Sequence, residues 1–148
     1  MMRRLSVFAA AWAAALMTST AWAGPLAEVF KSPACGCCVK WIEHLRTNGF
    51  EVKAHDVDDV TQSRAKLGVP QALGSCHTAR VGGYLIEGHV PAKDIQRLLR
   101  ERPRAAGLAV PAMPRGSPGM EADIKDSYDV LLFQSNGRHA VYQHYGAK

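Results

Sequence analysis

Apolar and polar positions change period several times along this chain, and each change marks an element. Residues 26–31 read as a strand, with Val29 and Phe30 supplying the apolar bulk. Over residues 38–48 the spacing turns helical. Cys38, Trp41, Ile42 and Leu45 recur three and four apart, and Asn48-Gly49 closes the run as a left-handed cap. Residues 50–57 alternate, with Phe50, Val52 and Ala54 set against Glu51, Lys53 and His55, which predicts a half-buried strand. A polar stretch over 59–67 predicts a second helix ending at Gly68-Val69-Pro70. Residues 75–81 and 84–89 flank Gly82-Gly83, a two-residue hairpin signal. Residues 91–100 make a third helix, with Pro91 at or near its first position and Ile95, Leu98 and Leu99 on one face. Segment 107–121 carries Pro111, Pro114, Pro118, Gly116 and Gly119, so neither helix nor sheet is expected there. Residues 128–133 and 139–145 flank Ser135-Asn136-Gly137 and predict a second hairpin.

The order β-α-β-α-β-β-α is that of a thioredoxin-like α/β fold: a central mixed sheet flanked by helices, here followed by a Pro/Gly/Met loop and a β-hairpin. No internal repeat or low-complexity segment interrupts it.

Residues 1–23 read as an address. Arg3 and Arg4 precede an Ala-rich apolar run, and Ala21-Trp22-Ala23 supplies a small-x-small cleavage signal before Gly24. The apolar run is shorter than the roughly 20 residues of a membrane span, so the expectation is export to a bacterial periplasm without stable membrane insertion. The Arg pair suits either of the two bacterial export routes, Sec or Tat. Removing 23 of 148 residues leaves 125, a comfortable single domain over 24–148 that can bury a core without disulfides. Losing Arg3 and Arg4 takes the formal charge from +5 to +3, too mild and too dispersed to argue for nucleic acid. Three of the five methionines also leave, and the remaining two, Met113 and Met120, both sit in the proline-rich segment. Thioethers are ordinarily scattered through cores as gap-fillers, so their confinement is informative.

Three of the four cysteines fall together in Cys35-Gly36-Cys37-Cys38, at a strand-to-helix junction. The Cys35/Cys38 spacing brings two sulfurs within reach of one ion or of each other. The unpaired N–H groups of a helix start favour the thiolate that either chemistry needs. Cys37 is a bridging thiolate in one reading and a small core residue in another. Cys76 leads a strand that the topology places beside this loop, so it serves either as a further ligand or as a partner in a structural disulfide with Cys35 or Cys38. Strand alternation sets His77 on the opposite face from Cys76, whereas His89, just before Pro91, reaches toward the site. His44 falls on the exposed or flanking side of its helix, and His55, His139 and His144 read as surface residues. Met113 and Met120 are seven residues apart, and both reach one site only if the chain turns back, for which Ser117-Pro118-Gly119 is a suitable turn. Thiolate with thioether favours Cu(I); zinc sites prefer Cys, His and carboxylate.

Five ordered motifs then carry a resemblance: Cys35-Gly36-Cys37-Cys38-Val39-Lys40-Trp41, Gly68-Val69-Pro70, Ser75-Cys76-His77-Thr78-Ala79, Ile86-Glu87-Gly88-His89-Val90-Pro91-Ala92 and Met113-Pro114-Arg115-Gly116-Ser117-Pro118-Gly119-Met120-Glu121. The set resembles the CopG-like family of small secreted metal-binding proteins and spans nearly all of residues 24–148. The resemblance implies a thioredoxin-like fold, a role in periplasmic copper resistance, and a thiolate-bridged, multinuclear copper cluster that cycles between oxidation states. It implies Cys35, Cys38 and Cys76 as ligands, with Cys37, Met113, Met120, His77 and His89 beside them. Its partners are copper ions and other periplasmic copper-handling or redox proteins. Ala112 departs from the pattern, which has Gly before the first methionine, and the departure bears on the backbone angle there. A thiol–disulfide oxidoreductase using Cys35 as nucleophile and Cys38 as resolving thiol is the alternative. A structural zinc module comes third, because it leaves the thioethers without a purpose.

Overall fold

The computed structural model describes residues 24–147, so the expected signal segment over 1–23 lies outside the described residues. One seven-stranded mixed sheet, ordered β2-β1-β3-β4-β5-β6-β7, carries three α-helices. Strand β1 (Leu26–Lys31) pairs in parallel with β2 (Glu51–Asp56) and antiparallel with β3 (His77–Val81). β3 forms a hairpin with β4 (Tyr84–Glu87), and both turn glycines have positive φ, as the tight primed turn requires. Among the described residues no helix is long and apolar enough to cross a membrane.

Helix α1 (Gly36–Thr47) begins two residues earlier than the hydrophobic spacing suggests. Cys35 is the reason: its sulfur accepts the Cys38 N–H at 3.3 Å and acts as the N-cap. Cys38, Trp41, Ile42 and Leu45 form its buried stripe. The Trp41 indole N–H donates to the Val90 carbonyl at 2.9 Å, so this ring is both fully buried and satisfied. Helix α2 (Val60–Leu67) is capped by the Asp59 carboxylate at one end and by left-handed Gly68 at the other. Helix α3 (Ala92–Glu101) follows Pro91.

Successive residues of the inner strands feed two separate apolar clusters. Ile86, Leu108 and Val130 join Trp41, Leu45, Ile95 and Leu98 in the larger one. Leu85, Ala109 and Phe133 join Val69 and Leu73 in the smaller. That alternation places the clusters on opposite faces of the sheet.

Two expectations need correction. The segment expected to hold no sheet supplies a short strand, β5 (Gly107–Ala109), parallel to β4 and antiparallel to β6 (Tyr128–Phe133). Gly107 permits it: a Cβ there would stand 1.8 Å from the Leu85 carbonyl oxygen, so only glycine allows this approach. Through β5, the hairpin of β6 and β7 (His139–Tyr145) extends the main sheet. The alternation read over residues 50–57 also fades. Phe50 is buried and Val52 partly so, but Ala54 is exposed, because β2 is an edge strand with one neighbour.

Candidate metal centre

Four sulfurs meet at the start of α1. Cys35 and Cys38 are joined as a disulfide, while Cys37 and Cys76 are free thiols. Cys37 Sγ lies 3.5 Å from Cys35 Sγ and 3.7 Å from Cys76 Sγ, and Cys76 Sγ lies 3.5 Å from Cys38 Sγ. Cys76 therefore pairs with neither residue of the C-x-x-C, against the structural disulfide that its position allowed. Nor does Cys37 enter the core: it is half-buried, and Cys38 takes the fully buried place.

Two imidazoles complete the cluster. His89 Nε2 approaches Cys76 Sγ to 3.0 Å and His77 Nδ1 approaches it to 3.3 Å. The opposite-face reading of His77 is thus corrected. Cys76 sits just ahead of β3, where strand alternation does not yet apply, and the His77 ring lies between Trp41 and His89 with centroid separations of 4.3 and 5.0 Å. Two groups of donors, Cys35/Cys37/Cys38/Cys76 and Cys76/His77/His89, each lie within a 4.8 Å span, and Cys76 belongs to both.

The electrostatics keep this pocket neutral. Burial lowers the His77 imidazole to about 3, and the neighbouring His89 adds to the effect. Burial also lowers His89, against the opposing pull of the Pro118 carbonyl. Both rings are therefore neutral near pH 7 and keep a lone pair. Burial, with the adjacent Cys37 thiol, pushes Cys76 up to about 12, so without a bound cation it stays a thiol.

The proline-rich loop closes the arrangement. His89 Nδ1 lies 2.8 Å from the Pro118 carbonyl oxygen; a carbonyl only accepts, so Nδ1 carries the proton and Nε2 turns its lone pair to Cys76. Gly119 (φ +86) makes that approach possible, since a Cβ would meet the Cys37 oxygen at 2.7 Å and the Trp41 nitrogen at 2.9 Å. Met120 lines a cleft of about 400 Å³ with Cys37, Lys40, Arg115 and Glu121. Met113 is half-exposed and lines a separate depression beside Pro111, Ala112 and residues 126–129. Met120 thus shares a cleft with Cys37, whereas Met113 lines a different depression. Ala112, where glycine was expected, has φ +60, a left-handed angle that costs a non-glycine residue about 1 kcal/mol. Its N–H donates to the Gly74 carbonyl and its own carbonyl accepts the Ser75 hydroxyl, contacts that hold it there.

Sequence reading missed the Pro118 carbonyl, a backbone group that leaves no residue-type signature. It also missed the support under Cys76, where Glu87 and Arg64 are both buried and bond the Ser75 backbone.

Comparison with known proteins gives a consistent picture. The family described as "Protein of unknown function, DUF411" matches residues 73–120, which hold Cys76, His77, His89 and the Met loop but not the C-x-x-C. No curated protein matches the chain. A solved structure of "Copper resistance protein copG", form 1, shares 46% identity, covers 82% of this chain and 97% of its own, and superposes with a TM-score of 0.77. Form 2 of that protein gives 46% identity, coverage of 82% and 98%, and a TM-score of 0.78.

Proposed function

Because this chain belongs to the CopG-like copper-resistance family, we propose that it takes copper as cargo at the cluster centred on Cys76 and serves copper resistance in a bacterial periplasm. The observation that carries the reading is one sulfur shared by two donor sets, with neutral imidazoles on one side and three more sulfurs on the other. The fit to a soft ion is physical. His77 Nδ1 and His89 Nε2 both face the Cys76 sulfur, and burial disfavours the charged form of both rings, so neutral imidazoles and a sulfur converge at one point. The His89 tautomer is fixed by Pro118, the outer support that metal-binding imidazoles ordinarily have. Cys76, His77 and His89 form one set of holders, and Cys37, with Cys35 and Cys38 once reduced, forms the other. When bound, copper would supply a one-electron couple; the chain would supply thiolates for Cu(I) and imidazoles that both oxidation states accept. A multinuclear cluster bridged by Cys76 is the natural stoichiometry of two sets sharing a ligand.

The accompanying reading of architecture is a thioredoxin-like domain over residues 24–148, preceded by a secretory signal over 1–23. The β1-α1-β2 parallel unit with a disulfide at the start of α1 supports it. That disulfide also supports a second reading, a thiol–disulfide oxidoreductase using Cys35 as nucleophile and Cys38 as resolving thiol.

Competition for the reduced protein between Cu(I) and Zn(II), read with chromophoric chelators, tests the first reading. Copper is expected to win by a wide margin, and a zinc preference refutes the proposal. The same titration resolves the methionines. Met120→Leu, beside Cys37, is expected to weaken Cu(I) binding, and Met113→Leu to leave it near wild type. Both swaps preserve volume and cost under about 1.5 kcal/mol of stability. A pure oxidoreductase would instead keep its disulfide-reducing activity in both variants while binding copper no differently from wild type.

A further inference from the structure

Glu87, at the end of β4, is wholly buried, and its Oε1 accepts two hydrogen bonds of 2.7 Å, from Arg64 Nε and from the Ser75 backbone N–H. Arg64, on α2, donates from a second nitrogen to the Ser75 carbonyl at 2.5 Å and from its third to Gln71 Oε1 at 3.3 Å. One buried ion pair thus grips both backbone polar groups of the residue immediately before Cys76. Ser75 is fixed from its other side as well. Its hydroxyl donates to the Ala112 carbonyl, and Gly88 packs so close that a Cβ there would come within 2.6 Å of the Ser75 side chain.

Stability does not account for this pair. Taking two charges out of water costs several kcal/mol per ion, and apolar side chains of similar volume commonly do as well or better. Glu87 Oε2 is moreover left without a hydrogen-bond partner. What apolar side chains cannot do is hold a peptide group in register. The planar guanidinium reaches Glu87 and the Ser75 carbonyl at a fixed angle, which a lysine ammonium cannot reproduce.

We propose that Arg64 and Glu87 are positioning residues that clamp the Ser75 peptide and so set the Cys76 sulfur against His89 Nε2, His77 Nδ1 and Cys38. The consequence for copper rests on the reading given above, but the clamp itself is testable without copper. In metal-free protein with the Cys35–Cys38 disulfide intact, iodoacetamide labels only free thiols, and peptide mass spectrometry separates Cys76 from Cys37. The double variant Arg64→Met/Glu87→Leu removes both charges together, so it leaves no unpaired ion; it does leave the Ser75 N–H and carbonyl without these partners, so it is expected to unfold cooperatively with a lowered midpoint. Its Cys76 labelling rate is expected to rise several-fold while Cys37 labelling stays constant, and its Cu(I) affinity to fall about 10- to 100-fold, as losing a ligand's outer support ordinarily does. Arg64→Lys, which keeps the charge but not the fork, is expected to fall between the two. Should the double variant not fold, Arg64→Lys carries the test alone. Wild-type labelling at Cys76 in a folded variant overturns the proposal. Unchanged Cu(I) affinity beside faster labelling overturns its link to the site. A wild-type protein that binds no Cu(I) refutes the copper reading, and the labelling rates then decide the clamp on their own.

Discussion

Replacing Cys76 with serine is expected to weaken Cu(I) binding by more than about a hundredfold, beyond what loss of an outer-shell support costs. The size follows from position. Cys76 is the one residue common to both donor groups, so its loss leaves Cys35, Cys37 and Cys38 without the sulfur that faces them from just ahead of β3 and His77 and His89 without a thiolate. A serine hydroxyl keeps the volume nearly unchanged, but it is a hard, neutral oxygen with little affinity for Cu(I). Folding should survive, because Cys76 is half-buried and makes no disulfide. Cys37→Ser provides the contrast, since it removes one sulfur from one group and leaves Cys76, His77 and His89 intact, so the loss should be distinctly smaller. Chelator competition on both variants measures the difference. Equal losses, or wild-type affinity in Cys76→Ser, would show that the two groups do not share a centre.

Acid is expected to destabilise the fold through His77, by about 3 kcal/mol between pH 7 and pH 4. In the unfolded chain this imidazole titrates near its ordinary 6.5, whereas in the fold burial holds it down to about 3. The folded state therefore prefers the neutral ring. That preference is fully expressed above pH 6.5 and is lost as the pH falls toward 3, where the unfolded chain binds a proton that the folded one refuses. His89 and His44, both lowered first by burial, act in the same direction. Urea unfolding of metal-free protein at the two pH values reads the effect, and His77→Leu, which has nothing to protonate, should lose much of the dependence. An equal pH dependence in wild type and His77→Leu would remove His77 as its cause. The device that makes the protein acid-sensitive also suits its chemistry, since a ring held neutral keeps a lone pair available to a metal.

Much of this was legible in the residues, and the exceptions have physical causes. Helix α1 was recognisable because Cys38, Trp41, Ile42 and Leu45 are all buried at helical spacing. Its true start was not, because the cap is a cysteine sulfur, a residue type that propensity rules do not count as a cap. Strand β5 was hidden by its short length and its glycine, yet that glycine is what lets the strand form. The gathering of Cys35, Cys37, Cys38, Cys76 and His89 followed from strand order and motif, whereas strand alternation misplaced His77 because Cys76 sits just ahead of β3. The placing of Met120 and Met113 in different depressions was not legible, because it depends on how the loop folds back through Ser117-Pro118-Gly119. No residue pattern singles out Arg64, on a polar helix, or Glu87, at a strand end. Only the tertiary structure shows that they are buried and converge on Ser75.

X-ray absorption at the copper edge on reduced, Cu(I)-loaded protein tests the shared-sulfur centre most directly. The account predicts mixed sulfur and imidazole scattering in the wild type, with the imidazole contribution lost in a His77→Leu/His89→Leu variant and both contributions disrupted in Cys76→Ser. A spectrum with oxygen and nitrogen neighbours alone, or one unchanged by Cys76→Ser, would contradict it.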